Sequence, residues 1–184
     1  MLLRDSEKQD EIRAELCYTI RGVIIYTDRS LIMIKVLFVC HGNICRSPMA
    51  ENVFRDCARR AGIEAFADSA AVSAEELGNG VYPAAREKLR REGVSIQMHR
   101  ARLLTRADYA AFDRILGMDR ANLRAMLRIL GGDPEGKVGL LMECAGRPGD
   151  VADPWYTGDF DRAYADILAG CEGLISELIE GNRR

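Results

Sequence analysis

Several features that mark common classes of protein are missing from this sequence of 184 residues. No uninterrupted apolar run approaches the roughly 20 residues that a membrane-spanning helix needs, so we expect no membrane span. A net charge of −2 and a pI near 5.8 argue against general nucleic-acid binding. The basic charge is nearly all arginine, since only four lysines are present. The length itself predicts one domain with a full hydrophobic core.

The 6 cysteines are irregularly spaced and include no Cys-x-x-Cys pair. This pattern argues against a zinc knuckle and against a disulfide framework. It fits a reducing compartment, so we expect the protein to be cytoplasmic. The start of the chain carries Asp5, Glu7 and Asp10 where a secretory signal peptide would be basic and then apolar.

The most informative stretch is Val36–Pro48, which reads VLFVCHGNICRSP. Its first four residues are apolar and partly β-branched, which is typical of a buried strand. Pro48 favours the first turn of a helix. The tight loop between them holds Cys40 and, six positions further on, Arg46. Because a loop that leads into a helix directs free backbone N–H groups at one spot, this stretch predicts an anion site.

Cys40 is the candidate nucleophile of that site. A free thiol is mostly protonated at neutral pH, and the loop amides, the helix dipole, Arg46 and the Ser47 hydroxyl would each favour the thiolate. Arg46 is a planar donor suited to two phosphate oxygens, and a cation at a helix N-terminus is unfavourable unless an anion offsets it. The alternative is a buried apolar cysteine and a surface arginine, because a bare Cys-x5-Arg spacing arises about once by chance in such a chain.

Strands and helices alternate along the rest of the chain. Strands are predicted at 34–39, 64–69, 114–118 and 138–142, and helices at 48–61, 83–91, 120–130 and 160–179. Thr105 is expected to cap a short helix, Asp119 to cap the helix that follows it, and 143–158 to form a long loop. The alternation predicts a single-domain α/β fold, a four-stranded parallel twisted sheet with helices on both faces, flavodoxin-like or Rossmann-like. Ligands of such sheets bind beyond the carboxyl ends of the strands, where Cys40 lies.

The loop resembles the phosphate-binding loop of the low-molecular-weight protein tyrosine phosphatases. The matching residues read Val-Cys-x-Gly-Asn-Ile-Cys-Arg-Ser-Pro-Met-Ala-Glu from Val39 onwards. The likeness extends from about Ile34 to the C-terminus and includes Asp-Ser-Ala-Ala at 68–71, His-Arg-Ala-Arg at 99–102, Met-Asp-x-x-Asn-Leu at 118–123 and Asp-Pro-Trp-Tyr at 153–156. Several segments that match in the same order are much stronger evidence for the family than one motif.

The resemblance assigns roles outside the loop. It implies that Asp153 protonates the leaving oxygen of a tyrosyl phosphate and later takes a proton from water. On sequence alone, Asp-Pro in a long loop is also a common turn. Trp155 and Tyr156 are implied to wall a slot for the phenyl ring, the alternative being ordinary loop packing.

Within and around the loop the resemblance implies a supporting network. The loop residues besides Cys40 and Arg46 are His41, Gly42, Asn43, Ile44, Cys45 and Ser47. Gly42 and Asn43 tolerate left-handed backbone. Ser69 and His99 are implied to hold the loop in shape, with no proton transfer assigned to His99. Cys45 is implied to form a disulfide with the nucleophile on oxidation, which would protect it from irreversible damage; alternatively it is a passive loop residue.

One departure and three alternatives remain. Glu75 stands where many relatives carry an aromatic residue, and we expect its carboxylate to disfavour acidic peptide flanks. Thioredoxin-coupled arsenate reductases need two further redox cysteines, and none lies between Cys57 and Cys144. Protein-arginine phosphatases carry threonine where this chain has Ile44. A catalytically silent phosphotyrosine-binding or redox-sensing protein would not need Asp153.

The resemblance thus implies hydrolysis of phosphotyrosine in proteins, and of small aryl phosphates, through a cysteinyl-phosphate intermediate. The expected partners are a phosphotyrosine-containing protein and inorganic phosphate or other oxyanions, with no nucleic acid, no cofactor and no metal. The phosphatase domain is expected at 34–184. Residues 1–33, with one short strand between Cys17 and Tyr26, are expected to form a poorly ordered or dispensable extension, the alternative being an added element that packs on the sheet.

Overall fold

The computed structural model describes residues 17–20, 23–26 and 33–181. The chain divides after Ile32 into two units. In the first, strands β1 (Cys17–Ile20) and β2 (Val23–Tyr26) pair in antiparallel fashion. The prediction of one strand between Cys17 and Tyr26 was therefore wrong, because two strands form there and pair with each other. The expected poor order of 1–33 concerns mostly residues outside the described ranges and stays a prediction.

The second unit carries a parallel sheet of four strands in the order β4-β3-β5-β6. The strands are β3 (Ile34–Cys40), β4 (Ala65–Ala71), β5 (Arg114–Gly117) and β6 (Val138–Leu140). The helices are α1 (Arg46–Ala61), α2 (Pro83–Arg91), α3 (Asp108–Ala111), α4 (Arg120–Leu130), α5 (Leu141–Cys144), α6 (Pro154–Thr157) and α7 (Phe160–Gly181). The predicted α/β class with a four-stranded parallel sheet is confirmed.

Strand β3 is buried on both faces, which explains its continuous apolar run. Val36 and Phe38 point into a core formed with α1, α2, α5 and α7. Leu37 and Val39 point the other way, into a second core that includes α4. Two layers of helices thus cover the central strand and fix its carboxyl end.

That carboxyl end is a topological switch point. From β3 the chain crosses to β4 on one side and then to β5 on the other side. Diverging connections leave a crevice beyond the strand ends, the usual ligand position in open α/β sheets. Cys40 is the last residue of β3, and Asp119 follows β5 at the same edge.

Several predicted boundaries need correction. Helix α1 begins at Arg46 rather than Pro48, and the Cys45 carbonyl accepts the N–H of Met49 at 3.1 Å. Strand β6 ends at Leu140 rather than Met142. The predicted long loop over 143–158 overlaps α5 and contains α6, both helices of a single turn. Such short helices show no periodicity in the sequence.

The two predicted helix caps differ in outcome. Asp119 caps α4 as predicted, since its side chain accepts the Asn122 N–H at 2.6 Å. Thr105 does not cap α3, which begins at Asp108. The bond runs the other way, because the Asp108 carboxylate accepts both the N–H and the hydroxyl of Thr105, at 2.7 and 2.9 Å.

Candidate active site

The loop between β3 and α1 curls around the Cys40 thiol. Its sulfur accepts the backbone N–H of Asn43 at 3.3 Å and lies 3.0 Å from the Ser47 hydroxyl. Asn43 adopts the left-handed backbone conformation that the sequence predicted, with φ of 57°. Gly42 does not adopt it, which corrects the reason given for that glycine. A Cβ on Gly42 would instead lie 3.1 Å from the Glu76 side chain.

Asn43 is the centre of the predicted supporting network and is fully buried. Its amide nitrogen donates to the hydroxyls of Ser47 and Ser69, at 2.9 and 2.8 Å. Its backbone carbonyl lies 2.7 Å from Nε2 of His99, and its side-chain oxygen accepts the Arg102 N–H at 3.1 Å. The structure therefore brings Ser69 and His99 together on this one loop residue.

The hydrogen-bond partners of Ser47 determine the direction of its hydroxyl proton. Because its oxygen already accepts from Asn43, its own proton is free to point at the Cys40 sulfur. Such a bond stabilises a thiolate. The Ser69 hydroxyl, which is further from Cys40, has the same pattern: it accepts from Asn43 and donates to Glu51 at 2.6 Å.

Glu51 is a buried carboxylate that the sequence reasoning missed. Burial raises its pKa, against the lowering effects of the Ser69 hydrogen bond and of Arg55, whose guanidinium lies 2.9 Å away. It lies in α1 four residues after Ser47, so helical spacing after the loop was a signal that could have found it.

The Arg46 side chain is only 4% exposed and is held by two carboxylates. One terminal nitrogen donates to Asp119 at 2.7 Å and to the Val151 carbonyl at 3.2 Å, and the other donates to Asp153 at 2.5 Å. These carboxylates offset the unfavourable position of a cation in the first turn of α1. The sequence reasoning gave Asp119 only a capping role, although its place after β5, beside Cys40, was a usable signal.

Asp153 binds through both carboxylate oxygens. One accepts the Trp155 N–H at 3.1 Å and so caps α6, while the other accepts from Arg46. Its side chain is 23% exposed and lies at the edge of a cavity that also reaches Cys40. The carboxyl group can therefore meet a ligand that sits on the loop.

This cavity has a volume of about 130 Å³ and brings most of the predicted site residues together. Its lining comprises Cys40, His41, Gly42, Ile44, Cys45, Arg46, Glu75, Glu76, Asp153, Trp155 and Tyr156. Trp155 packs edge-on against Tyr82 with 5.3 Å between ring centroids, and Tyr82 stacks on Phe160. Tyr156 is 86% exposed and stands at the mouth. The sequence reasoning missed Tyr82 as the support of this wall.

Comparison with known proteins identifies this arrangement. The sequence model of the low molecular weight phosphotyrosine protein phosphatases matches residues 35–184. The protein-tyrosine-phosphatase YfkJ of Bacillus subtilis is 40% identical over 150 residues, which are 79% of this chain and 96% of the relative. The phosphatase of Schizosaccharomyces pombe is 44% identical over 153 residues, covering 79% of this chain and 97% of that protein.

This chain belongs to the low molecular weight phosphotyrosine protein phosphatases. The crystal structure of YfkJ superposes with a TM-score of 0.78 at 38% identity and covers 81% of this chain and 96% of that one. An arginine phosphatase of Drosophila shares the fold, with a TM-score of 0.72 at 31% identity over 79% of this chain and 98% of that one. The family membership confirms the predicted enzyme class, a protein-tyrosine-phosphatase, and does not favour the arginine phosphatase alternative.

The rim of the phosphatase cavity carries the predicted departure. Glu75 is exposed there, and one of its oxygens lies 3.1 Å from Nε2 of His41. Glu76 lies beside it in the cavity wall and accepts from the amide of Asn79 at 2.7 Å. This part of the mouth is therefore acidic.

Cys45, the residue before Arg46, is buried and present as a free thiol, as is Cys40. Burial, together with the neighbouring Cys40, raises the pKa of Cys45 to about 12. A thiol with that pKa stays protonated at neutral pH and is a poor nucleophile. The two sulfur-bearing residues line the same cavity, so the predicted disulfide remains a prediction that oxidation experiments can test.

Two further properties concern only the residues described in the structure. Among them, no three or more histidine, cysteine, aspartate or glutamate side chains are grouped as metal ligands would be. Over the same residues, none of the helices is long and apolar enough to span a membrane.

Proposed function

We propose that this phosphatase hydrolyses phosphotyrosine in proteins, and small aryl phosphates, with Cys40 as nucleophile, Arg46 as phosphate clamp and Asp153 as general acid. The observation that carries the proposal is the Cys40 sulfur, which receives the Asn43 N–H at 3.3 Å and faces the Ser47 hydroxyl at 3.0 Å. The same cavity is lined by Arg46 and Asp153.

The first step is an in-line transfer of the phosphoryl group. The Cys40 thiolate forms a bond to phosphorus while the bond from phosphorus to the phenolic oxygen breaks, and Asp153 delivers its proton to that oxygen. Charge on the equatorial oxygens is stabilised by loop N–H groups and by Arg46. Three of the five N–H donors of a guanidinium are already used by Asp119, Val151 and Asp153, which leaves two for phosphate.

The second step releases phosphate. Water attacks the cysteinyl-phosphate, the sulfur–phosphorus bond breaks, and the Asp153 carboxylate accepts a proton from the attacking water. The Ser47 hydroxyl again stabilises the thiolate that leaves. Protein groups supply all the charge stabilisation in this scheme, so it requires no cofactor, and inorganic phosphate or another oxyanion is expected to bind the same loop as an inhibitor.

The slot and its rim are expected to select the substrate. Trp155 and Tyr156 contact the phenyl ring, and Glu75 disfavours acidic residues beside it. Rates on phosphopeptides with acidic or neutral flanks, compared between wild type and Glu75→Tyr, test this role. Identical flank preferences in the two proteins would contradict it.

The location and the domain limits are part of the proposal. We place the protein in the cytoplasm, and the five free cysteines of residues 33–181 support a reducing compartment. We place the phosphatase domain at 34–184, and the match of the family model to 35–184 supports this limit. A protein that begins at Met33 is expected to keep full activity, and a large loss of activity would assign residues 1–33 a role.

Hydrolysis of p-nitrophenyl phosphate in EDTA at mildly acidic pH tests the mechanism. We expect activity in the wild type and none in Cys40→Ser. Activity in both proteins would place the turnover elsewhere. Inactivity in both with retained vanadate binding would indicate a silent phosphotyrosine-binding protein. Phosphoarginine peptides form a further arm, and turnover of these above phosphotyrosine peptides would favour an arginine phosphatase.

A further inference from the structure

A second cavity adjoins the catalytic one and has no role in the mechanism above. Its volume is about 370 Å³, and it shares Arg46 and Asp153 with the catalytic cavity. The start of α4 contributes Arg120 and Arg124 to its wall, and the segment 150–153 forms the other side. Because Arg46 and Asp153 lie in both walls, the two cavities are direct neighbours.

The charges of this second cavity are unequally satisfied. Asp119 and Asp153 both bind Arg46, and Asp150 accepts the backbone N–H of Arg120 at 3.2 Å. Arg120 and Arg124 are exposed, and neither side chain forms an ion pair or hydrogen bond within residues 33–181. Since residues four apart on a helix are neighbours, the unpaired guanidinium groups of Arg120 and Arg124 lie side by side in the wall of this cavity.

We propose that the second cavity is a subsite for an anionic group on the substrate chain, next to the phosphotyrosine. The inference rests on the proposed function and names a specificity for it. Arginine forks match the planar or tetrahedral oxygens of a carboxylate or of a second phosphate. The wall also holds Asp150, whose carboxylate accepts only a backbone N–H from the described part of the chain, so the two unpaired arginines outnumber one unpaired carboxylate and a basic side chain is disfavoured.

The two neighbouring cavities carry side chains of opposite charge. Glu75 and Glu76 line only the catalytic cavity, whereas Arg120 and Arg124 line only the second one. An acidic residue of the substrate is therefore accepted where it reaches the arginines and rejected where it reaches the glutamates. A peptide bound in one chain direction should show this as opposite effects of an acidic residue on the two sides of the phosphotyrosine.

The test is a phosphopeptide series in which a single aspartate is moved through the positions on either side of phosphotyrosine in a neutral background. The readout is the ratio of kcat/KM for the acidic peptide to that for the neutral parent. We expect a ratio of about three to five on one side, the scale of one exposed ion pair. Phosphoserine in place of aspartate distinguishes a phosphate from a carboxylate and should raise the ratio further, and high salt should lower both ratios.

Matched variants assign the effect to the second cavity. Arg120→Gln/Arg124→Gln is expected to return the ratio to about one, since the attracting charges are gone. Arg128→Gln changes an exposed arginine one turn further along α4, outside the cavity, and should keep the wild-type ratio. A flat profile in the wild type, a preference for lysine at the favoured side, or an equal effect of all these variants would overturn the proposal.

Failure of the subsite is distinguishable from failure of the proposed function. If no peptide and no p-nitrophenyl phosphate is hydrolysed, the proposed function is wrong. The same peptides are then titrated calorimetrically against Cys40→Ser, and the ratio of Kd values replaces the ratio of kcat/KM. An acidic preference that Arg120→Gln/Arg124→Gln abolishes supports the subsite in that case too, and its absence refutes it.

Discussion

Replacing Asp119 by asparagine separates the two contacts of this residue. Asparagine caps a helix as well as aspartate does, so the bond to the Asn122 N–H survives, while the charge that faces Arg46 is lost. Arg46 is 4% exposed and Asp119 19% exposed, so water can replace only part of the lost interaction. Hydrogen bonds to charged groups contribute about 1.5–3 kcal/mol, and because Asp153 remains we expect a loss near 2 kcal/mol in the free energy of unfolding.

Activity should fall as well, because Arg46 then keeps only the Val151 carbonyl and Asp153 as partners among the described residues. A shift of Arg46 toward Asp153 that removes about 1.4 kcal/mol of transition-state stabilisation lowers kcat/KM tenfold. Urea unfolding and p-nitrophenyl phosphate kinetics measure the two effects. Asp113→Asn is the control, since Asp113 accepts the Lys35 N–H at 2.7 Å and contacts no arginine of the site. Wild-type kcat/KM in Asp119→Asn would refute the reasoning that Asp119 positions the clamp.

Three further predictions concern Glu51, Cys45 and Gly173. Burial raises the Glu51 pKa above its unfolded value, so the native state binds the proton more tightly and the stability of the protein falls as pH rises from about 4.5 through the folded pKa. Glu51→Gln should therefore gain stability relative to wild type over that pH window. Parallel curves of stability against pH for the two proteins would contradict this. Iodoacetamide at neutral pH should leave Cys45 unmodified in mass spectra because its pKa is about 12, and rapid labelling would refute that burial. Gly173→Ala should destabilise the protein by about 1–3 kcal/mol despite the better helix propensity of alanine, since its Cβ would lie 2.0 Å from the Cys144 carbonyl oxygen. The control Glu172→Ala changes an exposed residue and should unfold as wild type does. Equal melting temperatures for the two variants would show that α7 can shift.

Features of the structure could be predicted from the sequence where the residues that form them lie close together along the chain. The strand, the loop and the start of α1 all lie within Val36–Pro48, so local patterns specify them together. A proline in the first turn, an asparagine with positive φ and an apolar run each have a local physical cause. The one-turn helices α5 and α6 escaped prediction because four residues carry no helical period.

The sequence alone predicted the anion loop and the alternation that makes a parallel sheet, and its family resemblance indicated the residues proposed as nucleophile, clamp and acid. Only the tertiary structure decided which groups meet. Asp119 and Asp153 lie 73 and 107 residues from Arg46, and they reach it because the strand order places their loops at one edge of the sheet. The same holds for Arg120 and Arg124 beside Asp153. Periodicity records which face of an element is buried, but the partner across that face is set by packing, and so the charges around the loop were fixed only when the chain was folded.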